Sequence, residues 1–195
     1  TSNESCVVKL TPNSVWITEI MGAPVPIENS VAAEDGQWIE LTARGSKAVS
    51  LERATLAYYE WDANEAEPSN PEPVMARLQG LVAPTEPLLL VRSNDPFANG
   101  NLPPGVAYNN ISFSPSRNAR LLLIGPEWRR DLNEPFAIPT EHVIDDVLIP
   151  AGTFGEANKG RSWQASTPLP AGTEPDARVF CHTPAQASNT YVEDG

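Results

Sequence analysis

The chain has 195 residues and a formal net charge of −12, from 25 acidic and 13 basic side chains. Such a charge repels the phosphate backbone of nucleic acids, which proteins neutralise with Lys and Arg, so we expect no nucleic-acid partner. Hydrophobic residues make up 41% of the chain, too many for a disordered polypeptide, and 20 prolines and 12 glycines divide them into short runs. This pattern predicts an all-β fold, a sandwich of short strands with long loops.

The first strand-like runs are rich in β-branched and aromatic residues, and they lie at residues 15–20, 37–41 and 54–61. Polar and apolar residues alternate in the second run, so that Ile39 and Leu41 share one face of the strand and Trp38 and Glu40 the other. We predict that Ile39 and Leu41 are buried, with Trp38 at the edge of the sandwich and Glu40 partly exposed.

Further strand-like runs follow at residues 88–91, 106–113, 120–124, 143–149, 162–164 and 179–181. Residues 62–73 carry four acidic side chains and three prolines, and we predict that they form an exposed insertion. Any helix should be short, with residues 73–78 as the one candidate. No linker divides the chain, so we expect a single domain over residues 1–195. No run of about 20 apolar residues is present, and no transmembrane segment is predicted.

The two cysteines, Cys6 and Cys181, lie near opposite ends of the chain. A disulfide between them would close a very long loop and would constrain the unfolded state by about 5 kcal/mol. Such a bridge predicts an oxidising compartment outside the cytoplasm. The alternative is that the two residues are unrelated thiols of a reduced protein.

The order of the short motifs resembles the lamin-tail domain, an immunoglobulin-like β-sandwich of nuclear lamins and of secreted bacterial proteins. The most specific motif is Trp-Ile-Glu-Leu at residues 38–41, which is similar to the second strand of that family. The other matching segments are residues 16–20, 50–56, 88–91, 92–102, 121–123, 143–147, 160–162 and 183–189. The resemblance covers a core of about residues 15–189. It implies an extracytoplasmic module, secreted, periplasmic or on the cell surface, that binds a protein or a cell-envelope component. Cys181, after an aromatic residue, resembles the Trp-Cys pair of secreted bacterial members.

Three aromatic residues of the third strand-like run, Tyr58, Tyr59 and Trp61, form the predicted binding surface, because exposed aromatic side chains mark interfaces. An alternative function is carbohydrate binding, in which Trp61, Trp128 and Trp163 would stack on sugars. A further alternative is an accessory domain of a secreted hydrolase.

Residues that could carry out catalysis do not have the required spacing. The segment 160–164, with Ser162, lacks the second glycine of a nucleophile elbow. Neither His142 nor His182 has a second histidine at metal-binding spacing. Asp145 and Asp146 should point to opposite faces of their strand, so they cannot act as a carboxylate pair. We therefore predict a protein that is not an enzyme and has no cofactor.

Calcium is the one ion that the loops suggest, because calcium prefers oxygen ligands. Asp95 and Asn99 lie in an oxygen-rich loop and are the candidate ligands. The alternative is that these side chains form Asx turns, which need no ion.

Overall fold

A computed structural model describes residues 7–25, 35–99, 101–103, 105–130, 138–165 and 179–183. Within these ranges, the strands are β1 (Val7–Lys9), β2 (Val15–Met21), β3 (Trp38–Ala43), β4 (Ala48–Ser50), β5 (Thr55–Asp62), β6 (Val74–Arg77), β7 (Leu81–Val82), β8 (Leu88–Val91), β9 (Val106–Ala107), β10 (Arg117–Ile124), β11 (Val143–Ile149), β12 (Trp163–Ala165) and β13 (Phe180–His182). The α-helix α1 is a single turn (Pro96–Asn99), and 3-10 turns lie at Thr140–His142 and Glu156–Asn158. The prediction of an all-β fold is confirmed.

The strands of the described ranges form three sheets. A six-stranded sheet has the order β13-β12-β2-β3-β8-β9, a four-stranded sheet the order β11-β10-β5-β6, and a small sheet the order β1-β4-β7. All three sheets contribute to one hydrophobic core, with Ile39 from the six-stranded sheet, Leu121 from the four-stranded sheet and Val49 from the small sheet. The two larger sheets therefore pack against each other, because the apolar face of each sheet must be covered by another apolar layer.

Strand β3 has the predicted alternation. Ile39 and Leu41 are fully buried, and Trp38 and Glu40 are only partly covered, as expected. Residues 73–78, in contrast, were the wrong place for a helix, because residues 74–77 pair with β5 as strand β6. The predicted strands at residues 106–113 are reduced to the two residues of β9.

Strand β2 contains a β-bulge, at which its pairing with β3 shifts between Ile17 and Glu19. The extra residue, Thr18, allows Ile17 and Ile20 to face the same core although they are three residues apart, and both are fully buried. The bulge is fixed from the opposite sheet, because the Ile17 backbone N–H donates a hydrogen bond of 2.7 Å to the buried Asp145 carboxylate.

Both faces of β5 are covered by apolar side chains. Leu56 and Tyr58 belong to the main core, and Tyr59 and Trp61 pack on the other face in a second cluster with Trp128. Burial on both sides places apolar side chains at successive positions of β5, because adjacent residues of a strand point to opposite faces.

The acidic segment that follows β5 is exposed over residues 62–70. One side chain anchors it to the four-stranded sheet: the Glu67 carboxylate accepts a hydrogen bond of 2.5 Å from the Tyr59 hydroxyl and lies 2.8 Å from Arg120 Nε. Arg120 also donates to Asp146 Oδ2 at 2.6 Å.

Candidate functional site

The predicted aromatic binding surface is not exposed. Tyr58 is 4%, Tyr59 9% and Trp61 7% exposed, so the expectation that they form one accessible patch is wrong. Tyr58 points into the main core, where its ring meets Phe113 edge-on, while the other two pack on the opposite face of β5. Adjacent residues of a strand point to opposite faces, and both faces of this strand are covered.

The tryptophans that suggested carbohydrate binding are also buried. Trp61, Trp128 and Trp163 are all less than 10% exposed. The ring of Trp163 stacks on Phe180, with a centroid distance of 4.5 Å, and meets Phe154 edge-on. Sugar stacking needs an open aromatic face, which these three side chains do not offer.

The predicted disulfide would join Cys6 and Cys181. Cys181 is an exposed residue of β13 and lies opposite Gln164 of β12. Cys6 lies outside the described residues. The bridge between them therefore stays a prediction.

Asp145 and Asp146 point to opposite faces of β11, as predicted. Asp145 is 2% exposed and bonds the β2 bulge, whereas Asp146 is half-buried on the outer face beside Arg120. The first carboxylate thus holds the two larger sheets together, and the second contributes to an ion-pair network on one sheet.

Ser162 lies in a polar cluster that joins the last two strands to β2. Its hydroxyl donates a short hydrogen bond to the Glu19 carboxylate and lies 3.1 Å from the Thr183 hydroxyl. Ser162 is only 4% exposed, so its oxygen is not accessible as a nucleophile.

Burial raises the pKa of Glu19, the Ser162 hydrogen bond lowers it, and the charge of Glu40 raises it further. Burial and then the charge of Arg161 lower the pKa of His182, which favours its neutral form.

The raised pKa of Glu19 predicts a pH-dependent effect of the substitution Glu19→Gln. The folded state binds a proton at Glu19 more readily than the unfolded state, so the wild-type protein loses stability as pH rises from about 4.5 through the folded-state pKa. Glutamine cannot ionise but can still accept from Ser162. We expect the variant to gain up to about 1 kcal/mol over the wild type between pH 4 and pH 7, a small effect because solvent screens a half-exposed carboxyl. Urea unfolding at several pH values measures this difference, and a difference that stays constant with pH would contradict the expectation.

The loop after β8 is fixed by its own hydrogen bonds. Asp95 Oδ1 accepts from the Phe97 N–H at 3.0 Å, and the Asn99 N–H donates to the Asp95 carbonyl oxygen at 2.9 Å. Asn99 is 3% exposed, and its amide donates to the Ser93 carbonyl oxygen and accepts from the Leu102 N–H. These are turn and capping bonds of the kind that Asx residues form without an ion. Calcium binding by Asp95 and Asn99 stays a prediction.

This hydrogen-bonded loop presents Phe97 to solvent. Phe97 is 81% exposed, the largest exposed fraction of the bulky hydrophobic residues in the described part of the chain. It stands in α1, whose backbone is held by the Asp95 side chain, so the ring is displayed at a defined position rather than on a loose segment. A large apolar side chain on a preorganised loop is the kind of group that anchors a protein interface.

A polar cleft of about 410 Å³ adjoins the Phe97 loop and shares three residues, Arg92, Ser93 and Asn94, with the segment that follows β8. The cleft is lined by Asp35, Arg92, Ser93, Asn94, Ala107 and Asn109. Below it, the buried Gln37 side chain donates to the Gly22 carbonyl oxygen at 2.8 Å and accepts from the Phe113 N–H at 3.4 Å. Gln37 therefore ties β2, β3 and the segment before β10 together at the end of the molecule that carries this loop.

Only weak features of the sequence indicate that Phe97 and Gln37 belong to a candidate site. Phe97 is the one aromatic residue among the turn residues of segment 94–105, and a bulky apolar residue inside a turn is unusual. Gln37 stands before the Trp-Ile-Glu-Leu motif, and nothing in its neighbours indicates that it is 3% exposed.

The search against protein-family models and curated proteins finds no match to this chain. Within the described ranges, no helix is long and apolar enough to cross a membrane. No group of three or more His, Cys, Asp or Glu side chains in that part of the chain is placed to hold a metal ion.

Proposed function

We propose that this chain is a non-enzymatic binding module of the lamin-tail type, which acts outside the cytoplasm and holds a protein or cell-envelope partner. The two larger sheets with one shared core are compatible with an immunoglobulin-like sandwich. An extracytoplasmic location rests on the resemblance and on the expected bridge between Cys6 and Cys181. A role as an accessory domain of a secreted hydrolase would use the same binding surface.

The resemblance to the lamin-tail family is supported by where its motif residues lie. Residues 38–41 belong to a central strand of the six-stranded sheet, between β2 and β8. Three residues from motifs far apart in the chain, Glu19, Ser162 and Thr183, meet in one hydrogen-bonded cluster. The closing motif beyond Thr183 lies outside the described residues.

The exposure of Phe97 is the observation that carries the binding role. Its ring stands on a turn in which the Asp95 and Asn99 side chains accept hydrogen bonds from the Phe97 and Leu102 N–H groups. Covering a phenylalanine with a partner contributes roughly 1.5–3 kcal/mol, and a rigid loop loses little conformational entropy on binding. The adjoining polar cleft offers Arg92 and Asn94 for directional contacts beside this apolar anchor.

The substitution Phe97→Ala should weaken partner binding by roughly tenfold or more without loss of stability, since it removes a ring that contacts solvent. The alanine retains the backbone N–H that donates to Asp95. A photo-crosslinking residue at Ala98, which follows Phe97 in α1, identifies the partner in native cell envelopes. Titration of the purified partner gives the affinities.

The matched control is Leu148→Ala, which removes a 50% exposed apolar side chain from the outer face of β11. This variant should bind as the wild type does. Equal affinity of the Phe97→Ala variant and the wild-type protein for the partner would place the binding surface elsewhere.

A further inference from the structure

Three arginines meet in a cleft of about 360 Å³ that is lined by Glu52, Arg53, Arg77, Leu78, Gln79 and Arg129. The cleft lies at the opposite end of β5 from the Phe97 loop. Arg53 comes just before the start of β5. Near the other end of β5, the Glu60 carboxylate accepts a hydrogen bond from the Ser114 N–H. The preceding residue, Phe113, donates to Gln37, which lies at the end of the molecule that carries the Phe97 loop. The cleft is therefore separate from the proposed partner site.

The other cations of the four-stranded sheet are neutralised by carboxylates. Arg117 lies 3.5 Å from Asp62, and Arg120 is paired with Glu67 and Asp146. By contrast, none of the three cleft arginines forms an ion pair with a carboxylate in the part of the chain that the structure describes. A chain with a net charge of −12 thus places three cations around one cleft with no carboxylate partner among the described residues.

Backbone carbonyls orient two of these guanidinium groups. Arg77 Nη1 donates to the Arg53 carbonyl oxygen at 3.2 Å, and Arg129 Nη1 donates to the Trp128 carbonyl oxygen at 2.7 Å. Each group has five N–H donors, so most of them remain available to an oxyanion. A planar fork of donors matches the oxygens of a phosphate group.

The backbone of Arg53 provides an independent observation. Its φ is +68°, in the left-handed region that costs a side chain with a Cβ about 1 kcal/mol. Glycine or asparagine would adopt this conformation more easily. This conformation belongs to the turn in which the Ala54 N–H donates to the Leu51 carbonyl oxygen at 2.8 Å, and the turn fixes where the Arg53 side chain leaves the backbone beside the cleft.

We propose that the arginine cleft binds the single phosphate group of a small phosphate ester. The cleft volume is at the lower end of the range for small-ligand sites. A nucleic acid or an anionic membrane would bring many charges against a molecule of net charge −12, whereas a small ester brings one phosphate to the three cations. Glu52, which also lines the cleft, disfavours a second anionic group on the same ligand.

Calorimetric titration at low ionic strength with glycerol 3-phosphate, inorganic phosphate and glycerol tests this site. We expect both phosphates to bind, with dissociation constants on the order of millimolar, and glycerol not to bind. Tighter binding of the ester than of inorganic phosphate would assign the site to an ester, and equal binding would assign it to the phosphate group alone. Absence of phosphate binding would overturn the proposal.

The substitution Arg53→Asn separates binding from folding. Phosphate affinity should fall roughly tenfold or more, as expected when charged hydrogen bonds are lost. The unfolding temperature should stay the same or rise, because asparagine tolerates the left-handed backbone. Arg77→Gln should weaken binding to a similar degree. The control Arg117→Gln removes a cation at the other end of β5, and a loss of affinity as large as that of Arg53→Asn would refute a local site.

Discussion

Replacing Asp145 with alanine should lower the free energy of unfolding by about 3 kcal/mol. The carboxylate is 2% exposed and accepts the N–H of Ile17, which lies next to the β-bulge between β2 and β3. Alanine would leave that N–H buried without its acceptor, at a cost of about 1–3 kcal/mol, and would open a void where the carboxylate was. Urea unfolding followed by tryptophan fluorescence measures the loss.

Two variants show that the effect comes from this bond. Asp145→Asn keeps an oxygen that can accept from Ile17, so it should recover part of the lost stability. Asp146→Ala removes the neighbouring carboxylate, which pairs with Arg120 on the partly solvated outer face, and should cost no more than about 1 kcal/mol. A loss for Asp146→Ala equal to that for Asp145→Ala would contradict the role of Asp145 as the bond between the sheets.

The bulge also shows why the sequence predicts strand β2 but not its faces. A regular strand would put Ile17 and Ile20 on opposite sides, since side chains alternate. The structure buries both because Thr18 is inserted into the pairing. The acceptor that fixes the bulge lies 128 residues away in the chain. The β-branched and aromatic composition of residues 15–20 identifies the strand, and only the packed sheets reveal the irregularity.

The candidate site was less predictable than the fold, for a related reason. The run of residues 54–61 correctly indicated a strand, but the sequence does not state how many of its faces are covered. Tyr59 and Trp61 would be exposed if the four-stranded sheet had one solvated face, as many antiparallel sheets do. The second cluster with Trp128 covers that face instead. Phe97 is the opposite case, an aromatic residue that is exposed. The turn residues around it predicted a loop, but they did not predict that its ring faces solvent.

The substitution Gly105→Ala should destabilise the protein by about 2 kcal/mol and weaken partner binding at the Phe97 loop. A Cβ at this position would lie 2.3 Å from the Leu89 carbonyl oxygen, which belongs to the backbone of β8 and cannot rotate away. The segment would have to move off β8, which disrupts the parallel pairing of β9 and strains the hydrogen bond from the Gly105 N–H to Asn94 Oδ1.

Gly125→Ala is the matched control for this expectation, because its Cβ would first meet the end of the Ile144 side chain, at 3.2 Å, which can shift. Chemical denaturation of the two variants gives the difference in stability. Titration with the purified partner that crosslinking has identified gives the difference in affinity. If Gly105→Ala loses stability but binds normally, β9 supports the core and not the Phe97 loop. If it loses neither, the close approach of residue 105 to β8 is not required for the fold. Loss of both properties, with Gly125→Ala largely unaffected, is the result we expect, because Asn94 links the backbone of residue 105 to the loop that presents Phe97.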